Sequence, residues 1–283
     1  MIKKGVFLLG MLLLAIPLWF AIKKGVENDL VDKINRDLTL NPSSAGQAEA
    51  FKLLDGSQYR GKIYPWLGYP VTILYEDQLL GEGDNAGRPP DEFKVKELLL
   101  KQRSKKRLIL KIDSWKITSA GDSEANQLHV KWYLQILKWA HEVAPEVNLG
   151  YFGMPYSPWF ALQKPDIRMR DYQSILSELS PVLLESDSLY PVFFVQYGDS
   201  EHLFYTMSTQ LYIAKTFAKP VYPILWQRGL SANNVSREIL PADLIRRQCL
   251  FVKKYADGMV WWSDNSESWE DGWYDDVKKI CFD

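Results

Sequence analysis

Apolar residues along this chain form two kinds of run, and the two kinds alternate. Continuous runs of strand length stand at 71–75, 108–112, 147–152, 189–195, 221–226 and 259–262. Helical spacing fills the gaps, over about 92–103, 126–143, 171–179, 205–217 and 241–255. In the second of these, Trp132, Leu134, Ile136, Leu137 and Ala140 make one buried face. Strands apolar on both sides need cover on both sides, which a parallel sheet beneath helices supplies. The alternation therefore predicts an α/β fold, either a doubly wound sheet or a (β/α) barrel. No GxGxxG follows the first strand and no GxxxxGK[ST] occurs, so the phosphate cradle of nucleotide-binding sheets is missing. A TIM-like barrel of seven or eight strands is the expectation, with one or two strands hidden from the pattern.

The first 24 residues follow another rule. Lys3 and Lys4 precede an unbroken apolar run, 5–22, which Lys23 and Lys24 close. As a helix such a run is about 27 Å long, enough for the hydrocarbon core of a bilayer. It lacks the small-x-small exit of a cleaved leader, ending Leu18-Trp19-Phe20-Ala21-Ile22. An uncleaved signal anchor is expected over a cleaved leader, with the lipid bilayer as partner of 5–22 and the rest on the exported side, periplasmic or extracellular. A juxtamembrane helix and linker follow over 25–59, where Asn41-Pro42-Ser43-Ser44-Ala45-Gly46 is loop chemistry. The barrel domain is expected over 60–283.

Composition narrows the function. Thirty-four basic and thirty-five acidic side chains leave a net charge of −1, which offers no grip on nucleic acid. His129, His141 and His202 show no metal-ligand spacing, and no cofactor motif is present, so neither metal nor cofactor is expected. Cys249 and Cys281 are an even pair that in an exported chain could form a disulfide or stay as buried thiols. The excess is aromatic: Trp 11, Tyr 15 and Phe 12.

Chemistry in barrels gathers at the C-terminal ends of the strands. Those ends read Tyr75-Glu76-Asp77, Asp113-Ser114-Trp115, Tyr151 to Tyr156, Gln196-Tyr197 with Asp199 and Glu201 beyond, Trp226-Gln227-Arg228, and Trp262-Ser263-Asp264. Rings beside carboxylates suit a pyranose, whose faces are rich in CH and whose edge is hydroxyl. Glycoside hydrolysis needs a proton donor and a nucleophilic group at the anomeric carbon. Asp113, Glu76 and Asp264 are the candidate catalytic residues. Tyr75, Asp77, Trp115, Tyr151, Tyr156, Tyr190, Tyr197, Trp226 and Trp262 are the candidate sugar contacts, and a polysaccharide or oligosaccharide is the expected partner.

The order of these segments resembles the hyaluronidases, barrel glycosidases that cut β-linkages after N-acetylhexosamine. Residues 71–79 (VTILYEDQL) are similar to that family's first strand with its Tyr-x-x-Gln-Leu continuation. Leu110-Lys111-Ile112-Asp113-Ser114-Trp115 resembles the strand ending Ile-Asp-Trp-Glu-x-Trp, and Gly150-Tyr151-Phe152-Gly153-Met154-Pro155 resembles Gly-Tyr-Tyr-Gly-Phe-Pro. Residues 188–194 (SLYPVFF) are similar to Ala-Leu-Tyr-Pro-Ser-Ile-Tyr, 219–223 (KPVYP) fall at Leu-Pro-Val, and 257–262 (DGMVWW) fall at Ala-Gly-Val-Val-Leu-Trp. The resemblance implies a (β/α) barrel and a carbohydrate polymer containing β-linked amino sugars.

Departures fall on the chemistry. The resemblance places the family's strand-end Asp at Asp113, and its proton-donating Glu, two residues later, is lost as though by a gap. The two tyrosines that assist the substrate's acetamido group match Phe152 and Phe194, which donate no hydrogen bond. The Asp after Gly-Phe-Pro is Tyr156. Three readings remain open: a hydrolase of altered mechanism with Asp113 as acid beside Trp115, a silent glycan binder, and a scaffold.

Overall fold

The computed structural model describes residues 51–58, 68–119, 123–158, 165–195, 202–229 and 239–263, with 279 and 281. No helix among them is long and apolar enough to cross a membrane, and the expected anchor at 5–22 lies outside them.

Every strand pairing inside the sheets is parallel. β1 (Lys52–Ser57) runs beside β7 (Gly258–Ser263) over its full length and beside β2 (Tyr69–Pro70) on its other edge. Val71 continues that edge, its N–H donating to the Asp55 carbonyl at 3.1 Å, and leads into β3 (Thr72–Tyr75). β3 pairs with β4 (Arg107–Lys111), and β4 with β5 (Asn148–Tyr151). The bridges Phe152↔Tyr190, Leu189↔Val221 and Val192↔Ile224 make residues 189–192 the link from β5 to β6 (Ile224–Leu225), which pairs with β7. The hydrogen bonds thus run full circle through seven parallel segments. Along the chain between these segments stand α1 (Glu76–Leu80), α2 (Glu92–Lys101), α3 (Ser123–Val143), α4 (Pro165–Glu185), α5 (Leu203–Lys215) and α6 (Ala242–Tyr255). Cys249 of α6 is disulfide-bonded to Cys281, and both are fully buried.

The hidden strand is β1, which corrects the linker expected over 25–59: the domain begins before residue 60. Lys-Leu-Leu-Asp-Gly-Ser reads as a turn, but Asp55 is fully buried and satisfied, accepting from the Ser57 N–H and hydroxyl. The α/β expectation holds, with parallel sheets as the buried apolar runs require.

Inside the ring, Leu54, Val71, Ile73, Ile109, Ile224 and Val260 fill the middle. Below them the rings of Tyr190 and Tyr222 stack with centroids 5.9 Å apart. Each ring lies against a glycine of an adjoining segment: a Cβ on Gly150 would come within 2.9 Å of the Tyr190 ring, and one on Gly258 within 2.9 Å of Tyr222. Arg107 closes the base, donating to Asn148 Oδ1 at 2.9 Å, Ser188 Oγ at 3.3 Å and the Tyr222 hydroxyl at 3.0 Å, with its guanidinium 4.5 Å from the Tyr222 ring centre.

A methyl group at residue 258 would also meet the Lys52 carbonyl at 2.1 Å, where only backbone movement could relieve it. Gly258→Ala should therefore destabilise by about 1–3 kcal/mol, the range for overpacking, whereas Gly87→Ala, with nothing near its Cβ, should not. Denaturant melts of the two variants beside the parent check this.

Candidate ligand site at the strand ends

Strand parity sets the upper end of the ring. Side chains of a strand alternate, so the inward position Ile109 is followed by Lys111 and then Asp113. Register places Lys111 opposite Tyr75, and the next inward residue of β5 is Phe152. Lys111, 17% exposed, sends its ammonium over the Phe152 ring at 5.4 Å and the Tyr75 ring at 5.9 Å, and pairs with the Asp113 carboxylate, whose side chain is 72% exposed.

Lys111, Asp113 and Phe152 edge a pocket of about 470 Å³. Its floor is aromatic. Phe194 stacks on Trp262 at 5.3 Å, while Phe152 and Trp226 meet the same indole at 5.5 and 5.3 Å in edge contacts. The Trp262 N–H donates to the Tyr75 hydroxyl at 3.1 Å. Lys111, Asp113 and Lys116 supply the charge, and Asp113 is the one carboxylate among the described residues of the lining.

Hydrogen bonds behind the pocket fix the turn that carries Asp113. Glu76 Oε2 accepts from the backbone N–H of Asp113 at 2.8 Å and of Ser114 at 2.9 Å, and its Oε1 accepts from Asn85 Nδ2 at 3.0 Å. Burial pushes the Glu76 carboxyl up, but hydrogen bonds from Ser114, Asn85 and Asp113 outweigh it, so the group is held below the usual carboxylate range. The Trp115 indole donates to the Asn85 carbonyl at 3.0 Å. His129 lies with one ring nitrogen 3.0 Å from the Lys116 carbonyl and the other 2.8 Å from that of Ala86. Tyr133 donates to the Trp115 carbonyl at 2.8 Å.

The structure brings Tyr75, Asp113, Tyr156, Trp226 and Trp262 to one end of the ring. Others of the expected set are corrected. Glu76 is not a free partner for Asp113, because one of its oxygens is used by the turn and the other by the Asn85 amide. Asp77 is exposed on α1, away from the lining. Trp115 borders the pocket, yet its ring has no exposed surface and packs between Trp132 and Tyr133. It therefore offers no face to a sugar and does not enclose Asp113. Tyr151 has the outward parity: it is buried against Tyr133 of α3 and donates to that residue's carbonyl at 2.8 Å. Tyr190 points into the ring at its base, where burial pushes its hydroxyl up to about 12. Tyr197, Asp199, Glu201 and Asp264 lie outside the described residues. Lys111 and Lys116 were missed; for Lys111 the signal was its inward parity at the end of an apolar strand.

No family model matches the chain, and no curated protein does. Among solved structures it is similar to bee venom hyaluronidase, in a monoclinic crystal form, with a TM-score of 0.58 and 16% identity over 82% of this chain and 94% of that one. A second structure, bee venom hyaluronidase in complex with a hyaluronic acid tetramer, gives a TM-score of 0.54 at 14% identity over the same shares. At such identities the likeness is one of fold: an α/β chain shaped like a hyaluronidase.

The lowered Glu76 carboxyl carries a pH dependence. Its pKa is lower folded than unfolded, so its stabilising contribution is present above the unfolded value and is lost as pH falls through the folded one. Glu76→Gln should lower the melting temperature at neutral pH, and the gap to the parent should close on acidification. Melting curves at stepped pH test it, and a gap that widens in acid would contradict the assignment.

Proposed function

We propose that the pocket at the strand ends binds a saccharide and that the chain does not run the hyaluronidase reaction. The observation that carries this is the aromatic floor, where Phe152 and Phe194 keep exposed surface over the buried indoles of Trp226 and Trp262, beneath a rim of Lys111, Asp113 and Lys116. Apolar rings accept the CH-rich face of a pyranose, and charged groups at one edge reach its hydroxyls or substituents.

Parity supports an ungapped register against the resembled motif Asp-Trp-Glu-x-Trp. Lys111-Ile112-Asp113-Ser114-Trp115 then spans the motif without a gap, with Trp115 as the identical residue and Asp113 as the acidic one. Asp113 takes the place of the proton-donating Glu, and Lys111 that of its supporting Asp. The carboxylate is thereby tied to an ammonium. Phe152 and Phe194 stand for the two hydroxyl donors of the family, and loss of such donors costs on the order of 10²–10³ in rate. Hydrolysis with Asp113 as acid is the second reading, favoured by its place on that register. The hyaluronic acid tetramer bound by the bee venom enzyme makes polymers with β-linked amino sugars the first to try.

We further infer a single-pass anchor at 5–22 with the ring on the exported side. Lysine pairs flanking an apolar run support the anchor. The Cys249–Cys281 disulfide supports an oxidising compartment.

Retention of the chain on an immobilised glycan panel, with reducing ends assayed in parallel, tests the reading. The parent should be retained on at least one glycan. Lys111→Met and Phe194→Leu should each weaken retention by roughly tenfold, equivalent to about 1.4 kcal/mol, with unchanged melting temperatures. Failure to bind any member would end the saccharide reading.

A further inference from the structure

We infer that this pocket performs β-elimination on a uronate-containing polysaccharide, with Asp113 as base, Lys111 and Lys116 as the carboxylate-binding pair and Tyr75 as proton donor to the leaving oxygen. The inference rests on the saccharide reading above and adds a reaction class to it.

Hydrolysis asks for an acid and a nucleophile around the anomeric carbon, either two carboxyl groups or one carboxyl with the substrate's own acetamido group. The described lining has one carboxylate, two amines and the phenol of Tyr156, and the Tyr75 hydroxyl is hydrogen-bonded to the lining residue Trp262. Elimination asks for another set. A cation must neutralise the sugar carboxylate so that the adjacent carbon gives up its hydrogen. A base must stand beside that carbon, and an acid must protonate the departing oxygen. Lys111 and Lys116 face the pocket with Asp113 between them in sequence. The Tyr75 hydroxyl lies 3.1 Å from the indole nitrogen of the floor residue Trp262, and the Lys111 ammonium is over the Tyr75 ring. Glu76 fixes the backbone of Asp113 from the first βα turn, so the base is positioned without a carboxylate partner of its own.

The incoming sugar carboxylate competes with Asp113 for the Lys111 ammonium, releasing the Asp113 carboxylate toward substrate. Asp113 takes the proton from the carbon bearing the sugar carboxylate. The electron pair of that C–H bond becomes a carbon–carbon double bond to the neighbouring carbon, whose bond to the glycosidic oxygen breaks. That oxygen takes the Tyr75 proton and leaves as a hydroxyl. The Tyr75 phenolate recovers a proton from solvent and Asp113 gives its proton up, so nothing is consumed: neither water nor an oxidant enters the products. One product ends in an enoate conjugated to its carboxylate, which absorbs ultraviolet light where the substrate does not.

The full chain is incubated with hyaluronan, chondroitin, alginate and polygalacturonate, following ultraviolet absorbance and reducing ends together, in ordinary and in heavy-oxygen water. The expected result is that both signals rise in step on at least one polymer, with no heavy oxygen in the fragments. Tyr75→Phe and Asp113→Asn should each cut the rate by about 100-fold or more, while retention on that polymer persists. Tyr75→Phe removes a single oxygen, so a melting curve separates lost chemistry from lost folding. Reducing ends that rise without absorbance and with heavy oxygen incorporated would mean hydrolysis and overturn the inference. Retention on these polymers with neither signal would overturn it and leave the binding reading intact. No retention on any glycan would overturn both.

Discussion

A ring of seven parallel segments has one narrow interior, and every second side chain of each segment must share it. That constraint sorts the residues of this chain more strictly than their chemistry does. On β4 it sends Leu108 and Leu110 to the helices and Ile109 and Lys111 to the axis. A lysine inside a ring is stable only near its open end, and there the ammonium finds the Asp113 carboxylate and two ring faces. Middle positions are aliphatic, and the glycines beneath Tyr190 and Tyr222 make room for rings that no taper of this width could otherwise hold.

The rim depends on a second layer of bonds outside the ring. Glu76 begins α1, directly after β3, and reaches across to the turn after β4, so a carboxylate joins the two neighbouring strand ends beyond the last backbone pair, Tyr75 and Lys111. Asn85, Trp115, His129 and Tyr133 extend the joint to the loop after α1 and to α3. The residues that look most catalytic by type thus divide into one that faces the pocket and others that hold it in place.

Much of the fold was legible because a buried parallel strand is apolar on both faces, and six such mostly apolar runs stand out in the sequence. β1 was not, because Asp55, Gly56 and Ser57 are turn residues by composition and become strand residues only once Asp55 has Ser57 for a partner and Gly56 has Ile73 and Val260 against it. The site was legible in part. Tyr75, Asp113, Trp226 and Trp262 fall where strand ends predicted. Tyr151 did not, because the one-residue offset from Phe152 turns it toward α3. Tyr190 did not, because it stands at the start rather than the end of its segment. Lys111 was hidden by its type, since a lysine closing a strand reads as a solvated end.

The Arg107 cluster gives the molecule a floor as well as a doorway. Guanidinium, two stacked phenols, an amide and a hydroxyl are knitted together at the far end of the ring. No polymer can be reeled through such a body like thread through a bead. On the proposed saccharide reading, a polymer would lie across the rim with both of its tails outside, held by the loops that follow the strands.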